Sequence, residues 1–113
     1  MEFYYHANTK DVVILAADGG LNRETAGEFS DQLITLIEQG LTKIVVDCAA
    51  LEHISTVGLS VLIRLHKRLS EHGGNVRLCN VGGMIPGLLS ITKLDQLFSI
   101  HPGVDEAVAS FEG

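Results

Sequence analysis

Apolar and polar positions follow two alternating rhythms along the chain. Residues 11–17 (DVVILAA), 43–48 (KIVVDC) and 75–81 (NVRLCNV) are short, nearly continuous apolar runs rich in β-branched residues. Such runs suit strands buried on both faces. Elsewhere apolar residues recur at spacings of three and four, the period of a one-sided helix. Phe29, Leu33, Leu36 and Ile37 form such a stripe, predicting a helix over Thr25–Gln39 with Gly40 suited to its C-terminal cap. Leu59, Leu62, Ile63, His66 and Leu69 form a second, predicting a helix over 57–72 that Gly73 and Gly74 stop. Residues 2–6 (EFYYH) suit an edge strand and LFSI (97–100) a short strand. MIPGLLSIT (84–92) suits a short helix with Pro86 in its first turn, and Val104–Phe111 a closing helix. DGGLNRE, after the first long strand, and AALEHIST, after the second, read as loops.

Strand alternating with helix predicts parallel pairing through right-handed crossovers. The first hairpin adds an antiparallel strand. The expected fold class is α/β: one domain over 1–113, with a small, mixed, mostly parallel sheet of four or five strands packed with about four helices. A chain of 113 residues, 46% hydrophobic, can fill one core without metal or disulfide staples.

Charge removes some functions. The formal net charge is −6, the opposite of a nucleic-acid binder's footprint. No apolar run reaches the roughly 18 residues of a membrane helix, so no membrane insertion is expected. The start, MEFYYHANTK, lacks the pattern of a secretory signal, and a cytoplasmic location is expected. Cys48 and Cys79 lie in strand-like segments and are expected to be buried and reduced. No Cys or His spacing suits zinc, so no metal is expected. His6, His72 and His101 stand apart, and His66 falls on an apolar helix face as a partly buried residue. The Gly pairs of DGGLN, HGGN and VGGM match no phosphate-cradling motif and suit turns, so no cofactor is expected.

The stretch HISTVGLSVLIRL (53–65) carries the chemistry worth weighing. It lies beyond the carboxyl end of a strand and at the start of a helix, where ligands and modifications of open α/β sheets gather. Three readings of its hydroxyls stand side by side. Ser55 or Thr56 caps the helix, with Gly58 allowing close packing of loop and helix. Alternatively a phosphate at this helix start, adding roughly −1.5 to −2 charges, switches the binding of a partner. In the third reading Ser55 is a nucleophile with His53 as base and Asp47 nearby as orienting acid, although no GxSxG elbow is present.

Three segments together resemble a known family. VVILAADGGLNRETAGEF is similar to G-x-L-D-x-x-T-A-x-x-L; KIVVDCAALEHISTVGLSVL is similar to V-x-D-L-x-x-x-x-x-I-D-S-S-G-L-G-x-L; LLSITKLDQLFSIHPGVDEAVASF resembles an L-x-x-T-x-L-x-x-x-F ending. These patterns belong to the STAS domain, found in bacterial anti-sigma factor antagonists and sulfate transporters. The resemblance implies a domain that is not an enzyme. It implies binding to a kinase-type anti-sigma factor, which ends the binding by phosphorylating the second Ser of D-S-S-G. Aligned on Gly58 and Leu59, that phospho-acceptor position falls on Val57, the family's Asp on Ser55 and its first Ser on Thr56. The acidic residue of G-x-L-D falls on Asn22 and the second Gly of G-L-G on Ser60. Ser55 and Thr56 remain candidate shifted acceptors. The implied partner-binding residues are Asn22, His53, Ser55, Thr56, Val57, Gly58, Leu59 and Ser60, on a loop 53–60 and the helix that follows. Val57 admits a constitutive binder, or a non-switching accessory subunit of an ABC transporter ATPase or a signalling scaffold. The partner's identity, the sigma factor and the oligomeric state (homodimer included) stay open.

Overall fold

The computed structural model describes residues 2–6, 9–74 and 76–111. Among them lie five strands in the order β1 (Glu2–His6), β2 (Thr9–Leu21), β3 (Lys43–Ile54), β4 (Arg77–Cys79) and β5 (Ser99–His101). β1 pairs antiparallel with β2, and the other pairings are parallel. The connections run through α1 (Arg23–Glu38), α2 (Thr56–Ser70) and α3 (Ile85–Ile91), and α4 (Val104–Ala109) follows β5. This is the expected mixed, mostly parallel α/β sheet, with β1 at its edge.

Alternation along the strands divides the core into two layers, because successive side chains point to opposite faces. Leu15, Ile44, Val46, Cys48 and Leu78 join Phe29 and Leu33 of α1 and Leu62 and Leu69 of α2 in the larger layer. Val12, Ile14, Val45 and Cys79 face the other way, onto Ala107 and Val108 of α4. Both cysteines are buried and free. Burial pushes each thiol up to about 12. His66 is partly buried, its ring centroid 6.0 Å from that of Phe98.

The largest departures from expectation concern the ends of β2 and β3. DGGLNRE is not a loop: β2 runs through Gly19, Gly20 and Leu21, and α1 starts at Arg23 rather than Thr25. AALEHIST is not a loop either, because β3 runs on to Ile54. Parallel pairing continues to Leu21↔Ile54, absorbing register shifts between Ala16 and Asp18 and between Gly19 and Gly20. The backbone bonds of each extension are satisfied by the other strand, which no local pattern reveals. Elsewhere the elements shorten or shift. Only Arg77–Cys79 of the segment 75–81 pair, and Asn75 lies outside the described residues. Asn80 ends that strand at φ 55°, a left-handed conformation that Asn tolerates. LFSI gives way to Ser99–His101, α2 spans 56–70 rather than 57–72, and α4 ends at Ala109 instead of Phe111.

Candidate functional site

Two helix starts meet where β2 and β3 end. Asn22 caps α1: its side-chain oxygen accepts from the N–H groups of Glu24 (2.9 Å) and Thr25 (3.3 Å). Thr25 completes the box, its hydroxyl oxygen accepting from the Asn22 N–H (3.0 Å) while the hydroxyl donates to the Gly20 carbonyl (2.7 Å). Ser55 caps α2, its hydroxyl oxygen accepting from the Gly58 N–H at 3.2 Å. A single bond ties the two starts together: the Ser55 N–H donates to the Leu21 carbonyl at 2.9 Å.

Two glycines permit this closeness. A Cβ on Gly58 would collide with the Leu21 carbonyl oxygen and come within 2.9 Å of both the Ile54 and Leu21 side chains. A Cβ on Gly20 would occupy the space of the His53 ring, which lies opposite it in the ladder. The Gly pair of DGGLN therefore lies within a paired strand and not in a turn: Gly20 leaves room for His53, and Gly19 takes a left-handed φ of 65° beside a register shift.

The expected loop 53–60 is thus a strand end, one junction residue and the first turn of a helix. Thr56, at the first helical position, is exposed and so are His53 and Ser60. Val57 is half-buried, packed on the edge of the core. Gly58 and Leu59 lie beneath, Leu59 only 6% exposed. Asn22 is half-buried and occupied by its capping bonds. The Ser60 hydroxyl donates to the Thr56 carbonyl at 2.9 Å.

The geometry does not assemble a nucleophilic triad. The Ser55 hydroxyl oxygen is taken by the Gly58 N–H. Asp47 accepts from the Asn80 side chain at 2.9 Å and from the Ala49 N–H at 3.1 Å. Six residue steps along extended β3, about 20 Å, separate Asp47 from His53. Of the two capping candidates, Ser55 holds the role and Thr56 does not.

One neighbouring feature escaped the sequence reading. Met84 and Ile91 on and before α3 are 89% and 83% exposed, bordering a groove of about 550 Å³ that reaches His53 and Ile54. MIPGLLSIT shows a helix in sequence, but not which of its apolar residues stay uncovered. Among the described residues no helix is long and apolar enough to cross a membrane, and no cluster of His, Cys, Asp or Glu is arranged to hold a metal ion.

Comparison with known proteins gives a consistent picture. Residues 6–107 match the model of the STAS domain. A protein of Thermotoga neapolitana named as an anti-sigma factor antagonist is 30% identical over 105 residues, 92% of this chain and 93% of that protein. The crystal structure of an anti-sigma factor antagonist from Thermotoga maritima is similar with a TM-score of 0.91, covering 99% of this chain and 94% of that one at 26% identity. An anti-sigma factor antagonist from Mycobacterium paratuberculosis shares the fold, with a TM-score of 0.86 over 99% of this chain and 92% of that one, at 20% identity.

Proposed function

The chain belongs to the STAS domain family, and from that premise we propose that it is a non-catalytic regulator that binds a kinase-type anti-sigma factor. The surface it offers is the joined start of α1 and α2: Thr56, Val57 and Ser60 on the helix, His53 on the strand end, and Asn22 and Ser55 between them. Gly58 and Leu59 support this surface from below. The exposed apolar pair Met84 and Ile91 extends it, giving the mix of apolar and polar groups that suits a protein partner.

The observation that carries the proposal is the union of two capped helix starts through the Ser55–Leu21 bond. It holds a small polar face rigidly in register without using its exposed hydroxyls. Rigid presentation lowers the ordering cost of binding. The caps also determine what phosphorylation could do. Val57, at the family's acceptor position, carries no hydroxyl. The Ser55 hydroxyl is engaged as the cap, and Thr56 holds the exposed one. We read the domain as a constitutive binder because the family's acceptor position carries Val57 and Ser55 is held as the cap, which leaves Thr56 as the hydroxyl whose phosphorylation would overturn this reading. Val57 equally suits a second reading, an accessory subunit of an ABC transporter ATPase that needs no switch. Recovery of such an ATPase instead of a histidine-kinase-like protein would favour that second reading.

Intact-mass measurement after incubation with the recovered kinase-type partner and ATP tests the constitutive reading. The expected result is an unchanged mass and a persisting complex. One added phosphate mapped to Thr56 or Ser55, with loss of binding, would restore the switch and overturn it.

A further inference from the structure

On the far half of α2, α1 and α2 enclose a groove of about 330 Å³. Its apolar lining is half-buried Ile34 of α1, above Leu33 of α1 and Val61 and Leu65 of α2, which are buried in the core beneath it. Its rim is cationic: Arg64, Lys67 and Arg68 line it, with Glu71 at the end. These three residues are exposed, and they are three of the eight Lys and Arg residues in a chain of net charge −6. Among the described residues none of them forms an ion pair. Lys67 and Arg68 stand in the last turn of α2, where cations suit the helix dipole. The dipole acts mainly in the last turn and does not account for Arg64, three residues before Lys67, nor for the apolar lining between the two helices.

We propose that this groove docks an acidic amphipathic segment of the partner protein, its apolar side on the floor and its carboxylates on Arg64, Lys67 and Arg68. The proposal rests on the reading that this chain binds a protein, but it concerns a second contact. Eleven residue steps along the helix, about 16 Å, separate Lys67 from Thr56, so one partner can reach both. Charge complementarity selects the occupant. A concave apolar lining rimmed by three cations that form no ion pair among the described residues fits a peptide with apolar and acidic faces. An anionic membrane is less suited, because the floor is recessed between helices and the rest of the chain is acidic.

The test uses the full chain and a short synthetic amphipathic peptide of Leu and Glu, followed by amide NMR shifts and by binding titration. The shifts should fall on Leu33, Ile34, Val61 and Leu65 and spare 53–57. Arg64→Glu combined with Arg68→Glu should weaken binding at least about tenfold, and 0.5 M salt should weaken it too. Thr56→Asp should leave peptide binding unchanged, which separates this groove from the proposed face at the helix starts. Equal binding of a Leu and Lys peptide, or wild-type affinity in the double variant, would overturn the proposal. So would peptide-insensitive binding to phosphatidylglycerol vesicles, or self-association, that the same double variant abolishes. Retained α2 amide dispersion in the double variant confirms that it folds.

Discussion

Replacing Gly58 with alanine places one methyl group at the tightest point of the molecule. By helix propensity alone the change should help, because alanine exceeds glycine by about 1 kcal/mol inside a helix. Here the new Cβ meets the Leu21 carbonyl oxygen, a backbone atom of β2 already held by the Ser55 N–H, with Ile54 and Leu21 side chains behind it. A side-chain tip could swing away, but this carbonyl cannot move without pulling β2 off its register with β3. Overpacking of this kind costs about 1–3 kcal/mol, and the propensity gain offsets part of it. The expected net loss is about 0–2 kcal/mol. For 113 residues each kcal/mol is worth about 4 °C in Tm, so a fall of up to about 8 °C is expected, against the rise that propensity alone would give. Gly27→Ala supplies the control. Gly27 is exposed in α1, with open space where its Cβ would stand. That variant should gain up to about 1 kcal/mol. Thermal unfolding followed by circular dichroism, at fixed pH and protein concentration, reads both. If Gly58→Ala were stabilised like Gly27→Ala, the two helix starts would not be packed as described.

The Ser55 cap and the two buried thiols carry three further predictions. Ser55→Ala removes the cap on the Gly58 N–H and should lower stability by about 1 kcal/mol, while Ser55→Asp should retain most of it; urea unfolding reads both, with Ser60→Ala expected to be near neutral. Because burial raises both thiols to about 12, iodoacetamide at pH 8 should leave Cys48 and Cys79 unmodified in the folded chain and alkylate both in urea. Unfolding lets these thiols ionise at their ordinary pKa near 8.5, so stability should fall as pH rises from about 8.5 toward 12.

The mixed, mostly parallel pairing was legible from the alternation of strand and helix, and the stripe of Phe29, Leu33 and Ile37 and the helix start after β3 from periodicity. The strand ends were not. Gly19, Gly20, Ala49 and Ala50 carry neither branching nor clean alternation, so nothing local marks them as paired. Their order comes from each other, through the β2–β3 ladder. The α2 stripe was also incomplete. Val61 and Leu65 are buried, yet they fall outside the face traced by Leu59, Leu62 and Leu69, because α2 packs on α1 as well as on the sheet. At the site, sequence located Ser55 and Gly58 but not their common neighbour, the Leu21 carbonyl, thirty-four residues before Ser55. A backbone atom leaves no trace in residue identity.

Calorimetric titration of the Val57→Asp variant against the proposed anti-sigma factor partner tests most directly whether recognition occurs at the joined helix starts. A carboxylate in place of half-buried Val57 adds charge at the centre of the face while leaving the Ser55 cap in place. The predicted result is a loss of affinity of at least tenfold, about 1.4 kcal/mol, with the thermal unfolding of the free variant still cooperative. Wild-type affinity in that folded variant would contradict the account and move the interface elsewhere on the molecule.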